Sequence, residues 1–402
     1  MIGRRIYGEG IAEVSVTKGI DVLLKDLSAE MMQRAKQQIW KSIAKKVKYK
    51  QISDAKAQEI INDVATRTTY QDYDKADIVI EAVVENMKVK KSIFKEIEEN
   101  CREDVVIATN TSSLSVTEMA SDVKRPEQVI GMHYFSPVPK MQLLEIVRTE
   151  KTSEDVIASC YDFGVKQGKT VIVVKDGPGF YVNRILAPYL NECLIMADEG
   201  VALDKIDRAL IKKGFPVGPI SLLDEVGLDI AAHVAESSAE ALSKGREGFE
   251  ANDATTKMFK DGRLGKKNMK GFYKYEMKNG RAKKAGIDPD AYKYFKGNGS
   301  KELAIEEIQD RALLLMINEA VMCLEEGIIR NTQDGNLAAV FGIGFLPFTG
   351  GPFRYVDQQG ADKIVARMEE LQAKYGVKFK PRPMLVEYAK NNNEFCQKKY
   401  DK

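Results

Sequence analysis

The chain has 402 residues, 44% of them hydrophobic, and its 61 basic side chains against 59 acidic ones leave a formal net charge of +2. That length exceeds one ordinary core and calls for two or three domains, while the balanced charge excludes a general electrostatic attraction to nucleic acid or an anionic membrane. The five cysteines, at 101, 160, 193, 323 and 396, include no Cys-x-x-Cys pair, and no run of 18 apolar residues is present. Reduced thiols in a cytoplasmic setting, no metal site and no membrane span are therefore expected.

The first residues carry Arg4 and Arg5 but no apolar core, so no secretory signal is expected. Short apolar runs then alternate with helical patterns, at residues 20–24, 78–84, 105–108, 129–135, 143–147 and 171–174. This alternation predicts an α/β domain on a largely parallel sheet. Ser28 is placed to cap a helix with Met31, Ala35, Ile39 and Ile43 on one face, and a helical hairpin should follow. The lysines that end this helix, Lys45, Lys46, Lys48 and Lys50, suit a solvated helix end; alternatively they form a phosphate-binding patch for an acyl carrier such as coenzyme A.

Past Gly177 the pattern is helical almost throughout, with residues 278–284 read as a charged, exposed loop. This part contains a repeat. Asn191 and Glu192 lead through Glu199 and Gly200 to Gly214, Pro219 and Asp224, and Asn318 and Glu319 lead through Glu326 and Gly327 to Gly344, Pro352 and Asp357, at offsets of 127 to 133. Residues 297–301 read as a linker. The expected domains are an α/β domain over 1–176, a first helical repeat over 177–296 and a second over 302–402.

Two histidines are present, His133 and His233. His133 closes an apolar run, and imidazole is the side chain that titrates near neutrality, which makes it the candidate general base. Glu145, in the next apolar run, is placed to orient it and to stabilise its imidazolium. His233 lies in an apolar helical stretch and reads as structural. Asp26 follows the 20–24 run, where a dinucleotide fold uses an acidic residue to accept from the adenosine ribose and so favours NAD over its 2′-phosphorylated form; a turn or cap role is equally compatible. The strand and Gly-x-Gly-x-x-Gly that should precede it are incomplete. The nearest match, Gly3 to Gly8 and Gly10, places Arg5 where backbone should meet pyrophosphate, and only Met1 and Ile2 remain for a strand that reads as truncated, leaving apolar sheet edges exposed. Asn110, Thr111, Ser112 and Ser113 follow the 105–108 run, at a strand's carboxyl end where ligands bind in open α/β sheets; Ser113 is equally placed as a helix cap.

Several stretches together resemble the L-3-hydroxyacyl-CoA dehydrogenase family, in particular the dehydrogenase portion of the multifunctional fatty-acid oxidation α-subunit. They are Glu81 to Asn86, Asn110 to Ser113, His133 to Pro139, Pro178 to Arg184 and Gly214 to Pro219, and the likeness runs from about Gly10 to the C-terminus. The resemblance implies a Rossmann-type NAD-binding domain followed by an all-α domain of two related helical repeats. It implies that His133 is the catalytic base and Glu145 its partner, that Ser112 bonds the substrate's 3-oxygen, and that Asn183 is a substrate-binding amide. Glu85 and Lys90 would lie near the nicotinamide half of the cofactor, with Asp26, Asn110 and the glycines Gly8 and Gly10 completing the NAD site. The expected reaction is NAD-dependent oxidation of an L-3-hydroxyacyl-CoA to the 3-oxoacyl-CoA in β-oxidation, with a thiolase-like partner subunit and without the hydratase half of the multifunctional chain. The incomplete glycine loop supports an alternative, a non-catalytic remnant or assembly subunit with impaired NAD binding. A third option, a related dehydrogenase of free hydroxy acids, conflicts with the His133 and Glu145 pair, since such relatives typically use a lysine base.

Overall fold

The computed structural model describes residue 2, residues 6–243 and residues 246–396. They divide into two compact units, residues 1–180 and 181–402, so the boundary falls four residues beyond the expected one. In chain order the first unit contains α1 (Ile6–Val16), β1 (Val22–Lys25), α2 (Ala29–Lys48), α3 (Asp54–Asn62), β2 (Val64–Arg67), β3 (Ile78–Glu81), α4 (Met87–Asn100), β4 (Val106–Thr109), α5 (Val116–Ala120), β5 (Val129–Tyr134), β6 (Leu143–Arg148), α6 (Glu154–Lys166) and β7 (Thr170–Lys175).

Ser28 caps α2 by accepting from the Met31 N–H, and Met32, Ala35, Ile39 and Ile43 form its buried face. Burying each of the larger three contributes about 1.5–3 kcal/mol. Met31, expected on that face, is only half-buried. Lys45, Lys46 and Lys48 occupy the last turn of α2, as the macrodipole favours, and Lys50 lies just beyond it. Strand β2 was not anticipated. Only Val64 in it is buried, because β2 pairs with β1 on one side alone and its remaining residues carry no apolar signal.

Strands β3, β4 and β5 run parallel, β6 is antiparallel to β5, and β7 is parallel to β6. Between β1 and β3, the place expected for a truncated strand, stands Ile2. It makes parallel bridges to Lys25 and Glu81; its N–H donates to Ile80 O at 2.9 Å and its carbonyl accepts from Ala82 N at 2.8 Å. Its side chain is buried, so at this position the ends of β1 and β3 are bridged rather than exposed. Helix α1 knits two cores together. Ile11 and Val14 pack with β5, β6 and α6, while Ala12 and Val16 pack with β1 and α2.

The second unit contains α7 (Val182–Asp198), α8 (Leu203–Lys213), α9 (Pro219–Val226), α10 (Leu228–Ser243), α11 (Ala254–Lys260), β8 (Tyr273–Lys278), β9 (Arg281–Ile287), α12 (Ile305–Glu325), α13 (Thr332–Ile343), α14 (Pro352–Gln359), α15 (Ala361–Tyr375) and α16 (Pro383–Asn391). Residues 278–284, expected as a loop, are instead the centre of the β8–β9 hairpin. Asn279 and Gly280, at φ 53° and 70°, supply the left-handed turn that joins its strands. The expected linker is not free either: Lys301 N donates to Gly200 O at 2.8 Å, and a Cβ on Gly297 would lie 2.3 Å from the Gly200 backbone.

The repeat is visible in matched contacts. Arg184 on α7 donates to Glu319 of α12 at 2.7 Å and pairs with Glu326 at 2.7 Å. At the corresponding positions Arg311 on α12 donates to Glu192 of α7 at 2.8 Å and to Glu199 at 2.9 Å. Likewise Asp224 accepts from the N–H groups of Phe272 and Tyr273, and Asp357 from those of Phe395 and Cys396.

Candidate active site

Strand parity builds the site. Met132 and Tyr134 of β5, and Leu144 and Ile146 of β6, enter the core shared with α1 and α6. The intervening residues therefore point to the other face of the sheet, and the antiparallel register sets His133 directly opposite Glu145. Nδ1 of His133 lies 2.7 Å from Glu145 Oε2, and both side chains are buried. The Phe135 and Phe180 rings, 4.4 and 5.5 Å from the imidazole centroid to centroid, wall it from water.

The loop after His133 is fastened from below. Lys169 Nζ donates to Val138 O at 2.5 Å and Met141 O at 2.7 Å, and burial pushes its pKa down to about 8. Beside it the Tyr134 hydroxyl donates to Gln167, whose amide donates to Ser15 on α1, each at 2.8 Å. The end of β5 is thereby tied to the helix that opens the unit.

Asn110 ends the neighbouring strand, and its Oδ1 accepts from Tyr134 N–H at 2.9 Å. Its side chain thus joins the carboxyl ends of β4 and β5, a use that its expected cofactor role did not include. Ser112 follows, half-buried, with its N–H donating to Glu85 Oε1 at 3.0 Å. Glu85 also accepts from the Thr111 hydroxyl and, at 3.5 Å, from Ser113 Oγ. Burial alone would push the Glu85 carboxyl up, but the Lys90 ammonium, Thr111 and the Ser112 N–H outweigh it and hold it below the usual carboxylate range. Lys90 has no exposed surface: its amine lies 2.7 and 3.0 Å from the two oxygens of Glu81 and 3.3 Å from Glu85. Sequence inspection missed Glu81, Thr109 and Thr111 as parts of this cluster. The available signal was Glu81 itself, a carboxylate that closes an apolar strand.

The glycines expected to form a phosphate loop are corrected: Gly8 and Gly10 lie inside α1. At Gly10 a Cβ would stand 2.8 Å from Val138 Cβ, so its task is close packing of the helix against the loop after β5. The Arg5 position lies outside the described residues. Even so, the residues fit a dinucleotide. Helix α1 begins just after Ile2, at the carboxyl edge of the sheet, and Asp26 stands at the carboxyl end of the adjacent β1 with Oδ1 accepting from Leu27 N–H at 2.7 Å. A helix start and a carboxylate on neighbouring strands match the pyrophosphate and ribose of NAD.

Asn183 belongs to the second unit, as the second residue of α7. The corresponding residue of the second repeat is Asp310, whose carboxylate is taken by Arg367 Nε at 2.8 Å. His233, read as structural in an apolar helical stretch, lies on α10 with its side chain exposed. Among the described residues there is no cluster that could hold a metal ion and no helix long and apolar enough to cross a membrane.

Comparison with known proteins decides the family. Residues 1–177 match the model of the 3-hydroxyacyl-CoA dehydrogenase NAD-binding domain, and residues 179–275 match that of its C-terminal domain. The (S)-3-hydroxybutyryl-CoA dehydrogenase of Ralstonia eutropha is 33% identical, with 98% of its chain covered by 69% of this one at a TM-score of 0.65. This chain belongs to the 3-hydroxyacyl-CoA dehydrogenase family. Its first unit is that family's NAD-binding domain, and its second unit begins with the family's helical domain. A 3-hydroxybutyryl-CoA dehydrogenase from Escherichia coli is similar over 97% of both chains, at 27% identity and a TM-score of 0.84. The fatty acid oxidation complex subunit alpha of Idiomarina loihiensis is 44% identical over 398 residues, 99% of this chain and 55% of the relative. The chain thus spans about half the length of the curated relatives it matches.

Proposed function

We propose that this chain oxidises an L-3-hydroxyacyl-CoA to the 3-oxoacyl-CoA with NAD, as the dehydrogenase step of fatty-acid β-oxidation. The observation that carries the reading is the buried pairing of His133 Nδ1 with Glu145 at 2.7 Å on the ligand face of the sheet. Glu145 accepts from Nδ1–H, which selects the tautomer whose Nε2 is basic and turns that nitrogen to the substrate's 3-hydroxyl. His133 takes the hydroxyl proton, and the resulting imidazolium is stabilised where it forms by the Glu145 carboxylate. Ser112 bonds the 3-oxygen as it becomes a carbonyl, and the Glu85 contacts fix its backbone. NAD, when bound, supplies the hydride acceptor; α1 and Asp26 are the groups that would hold its pyrophosphate and adenosine ribose. Asn183 is assigned to the substrate on the family resemblance. The name of the subunit-alpha relatives supports a partner subunit, of thiolase type if the β-oxidation reading holds, and the unpaired cysteines support a cytoplasmic setting.

The test is NADH consumption by the purified chain with acetoacetyl-CoA and longer 3-oxoacyl-CoA substrates. Absence of turnover by folded protein across that range overturns the proposal. Calorimetric titration with NADH separates the alternative: acyl-CoA binding without NADH binding would identify a remnant.

A further inference from the structure

The loop that joins β5 to β6, residues 135–142, connects the two members of the proposed pair, His133 and Glu145. It has little to hold it in shape by itself. Val138 is its one buried side chain, and Ser136, Pro137, Pro139, Lys140 and Gln142 are exposed. Its backbone closes a turn in which the Lys140 and Met141 N–H groups donate to Pro137 O at 2.9 and 3.0 Å. No backbone N–H among the described residues meets the Val138 and Met141 carbonyls; both accept instead from Lys169 Nζ, at 2.5 and 2.7 Å. Lys169 stands between α6 and β7, with its own N–H donating to Gly164 O at 3.0 Å, and the next residue, Thr170, donates to Gln142 O at 2.8 Å. Two residues earlier, Gln167 holds the Tyr134 hydroxyl. The α6–β7 turn thus grips the loop at its entry, its middle and its exit.

We infer that Lys169 is a positioning residue for His133 and Glu145, acting through the loop between them. The inference rests on the dehydrogenase reading and deepens it. The register that sets His133 opposite Glu145 belongs to two antiparallel strands whose connection is this loop, and a connection free to change shape lets the pair slip or splay. Phe135, the first loop residue, carries the ring that lies 4.4 Å from the imidazole, so the wall around the base moves with the loop as well. A lysine suits the task. Its long stem reaches from the neighbouring turn to carbonyls three residues apart, and its ammonium offers three donors to groups that only accept. The position is otherwise a poor one for charge: no carboxylate among the described residues pairs with this amine, and burial pushes its pKa down to about 8. What the chain gains there is the pair of hydrogen bonds to the loop.

Lys169→Met keeps the stem and removes the donors, so it acts on the contacts themselves. If Lys169 positions the pair, the variant lowers kcat by about 10-fold or more while KM for acetoacetyl-CoA and the NADH Kd stay within about twofold. Added to His133→Gln it should cost much less than it does alone, because its effect passes through the base. Val156→Ala controls for lost packing: it thins the same core from the first turn of α6, at the other end of that helix from Lys169, and should keep kcat within about twofold of wild type. Amide hydrogen exchange reads the contact without turnover. The Lys140 and Met141 N–H groups should lose protection in Lys169→Met while β5 and β6 keep theirs. Lys169→Arg, whose guanidinium can donate to two acceptors at once, should recover protection and rate together; recovery of one without the other overturns the inference. So does unchanged loop protection in Lys169→Met, a raised KM with kcat retained, or an equal fall of kcat in Val156→Ala. Should wild-type protein show no turnover, the dehydrogenase reading falls, while the exchange experiment still decides whether Lys169 holds the loop.

Discussion

Arg184 and Glu319 join the two helical repeats through a buried ion pair of 2.7 Å, and Arg311 and Glu192 make the same contact in the reciprocal direction. Each arginine sits on the long first helix of its own repeat and finds its carboxylates on the other. Glu319 also receives Arg246, and Glu192 receives Lys378. The expected outcome of Glu319→Ala is a loss of about 3–5 kcal/mol, because Arg184 and Arg246 are left in the interior without their acceptor. Urea unfolding measures it. Replacing the Arg184 and Glu319 pair together by Met and Leu should recover part of that loss.

The same box predicts an acid response. Burial pushes the Glu199 carboxyl up, but hydrogen bonds and charge from Arg311 and Lys301 outweigh it and bring its pKa from 4.5 down to about 2. Between those values the unfolded chain binds a proton that the folded chain does not, so stability is present above the upper value and drains away as the pH falls towards the lower. Glu319 is held low in the same direction by Arg246 and Arg184 against the effect of burial. Thermal unfolding followed from pH 5 to pH 2 should show a shallower decline for Glu199→Gln than for wild type.

At the proposed catalytic pair, His133→Gln should lower kcat by about 10² to 10⁴ with little change in NADH affinity. Glu145→Ala removes the acceptor that selects the tautomer and leaves the imidazole enclosed by Phe135 and Phe180 without its partner. Its kcat should fall by at least about 10². Steady-state kinetics beside fluorescence titration with NADH distinguishes loss of chemistry from loss of cofactor, and unchanged rates for His133→Gln would remove it from the mechanism.

Gly10→Ala is expected to cost about 1–3 kcal/mol, as overpacking does. The new methyl would meet the branched Cβ of Val138, which cannot swing aside as the end of a flexible chain could. Because the start of α1 is proposed to hold the cofactor's pyrophosphate, NADH should bind more weakly in the same variant. Denaturation and titration on one preparation read both effects.

The residues of the proposed site were more legible than the framework around them. His133 and Glu145 announced themselves as polar residues inside apolar runs, and Ser28 as a cap before a periodic helix. Strand β2 was hidden because a one-sided edge strand needs few apolar residues, and the β8–β9 hairpin because its lysines masked an Asn-Gly turn that is itself a strong hairpin signal. The enclosure of Lys90 was not legible for a different reason: the carboxylates that surround its amine, one of them nine residues earlier, are brought to it by the sheet.

The sequence by itself determined the family, the α/β character of the first unit and the duplicated helices, and it singled out His133 and Glu145 as the candidate base and its partner. These follow from local patterns and from stretches whose side chains carry the chemistry. Tertiary structure alone decided that β6 reverses against β5 and so sets Glu145 opposite His133. It also decided that Ile2 bridges β1 and β3, that Gly10 packs against Val138, and that Lys90 lies wholly inside. Each depends on which distant backbone comes alongside, a matter of register and burial that local periodicity does not encode.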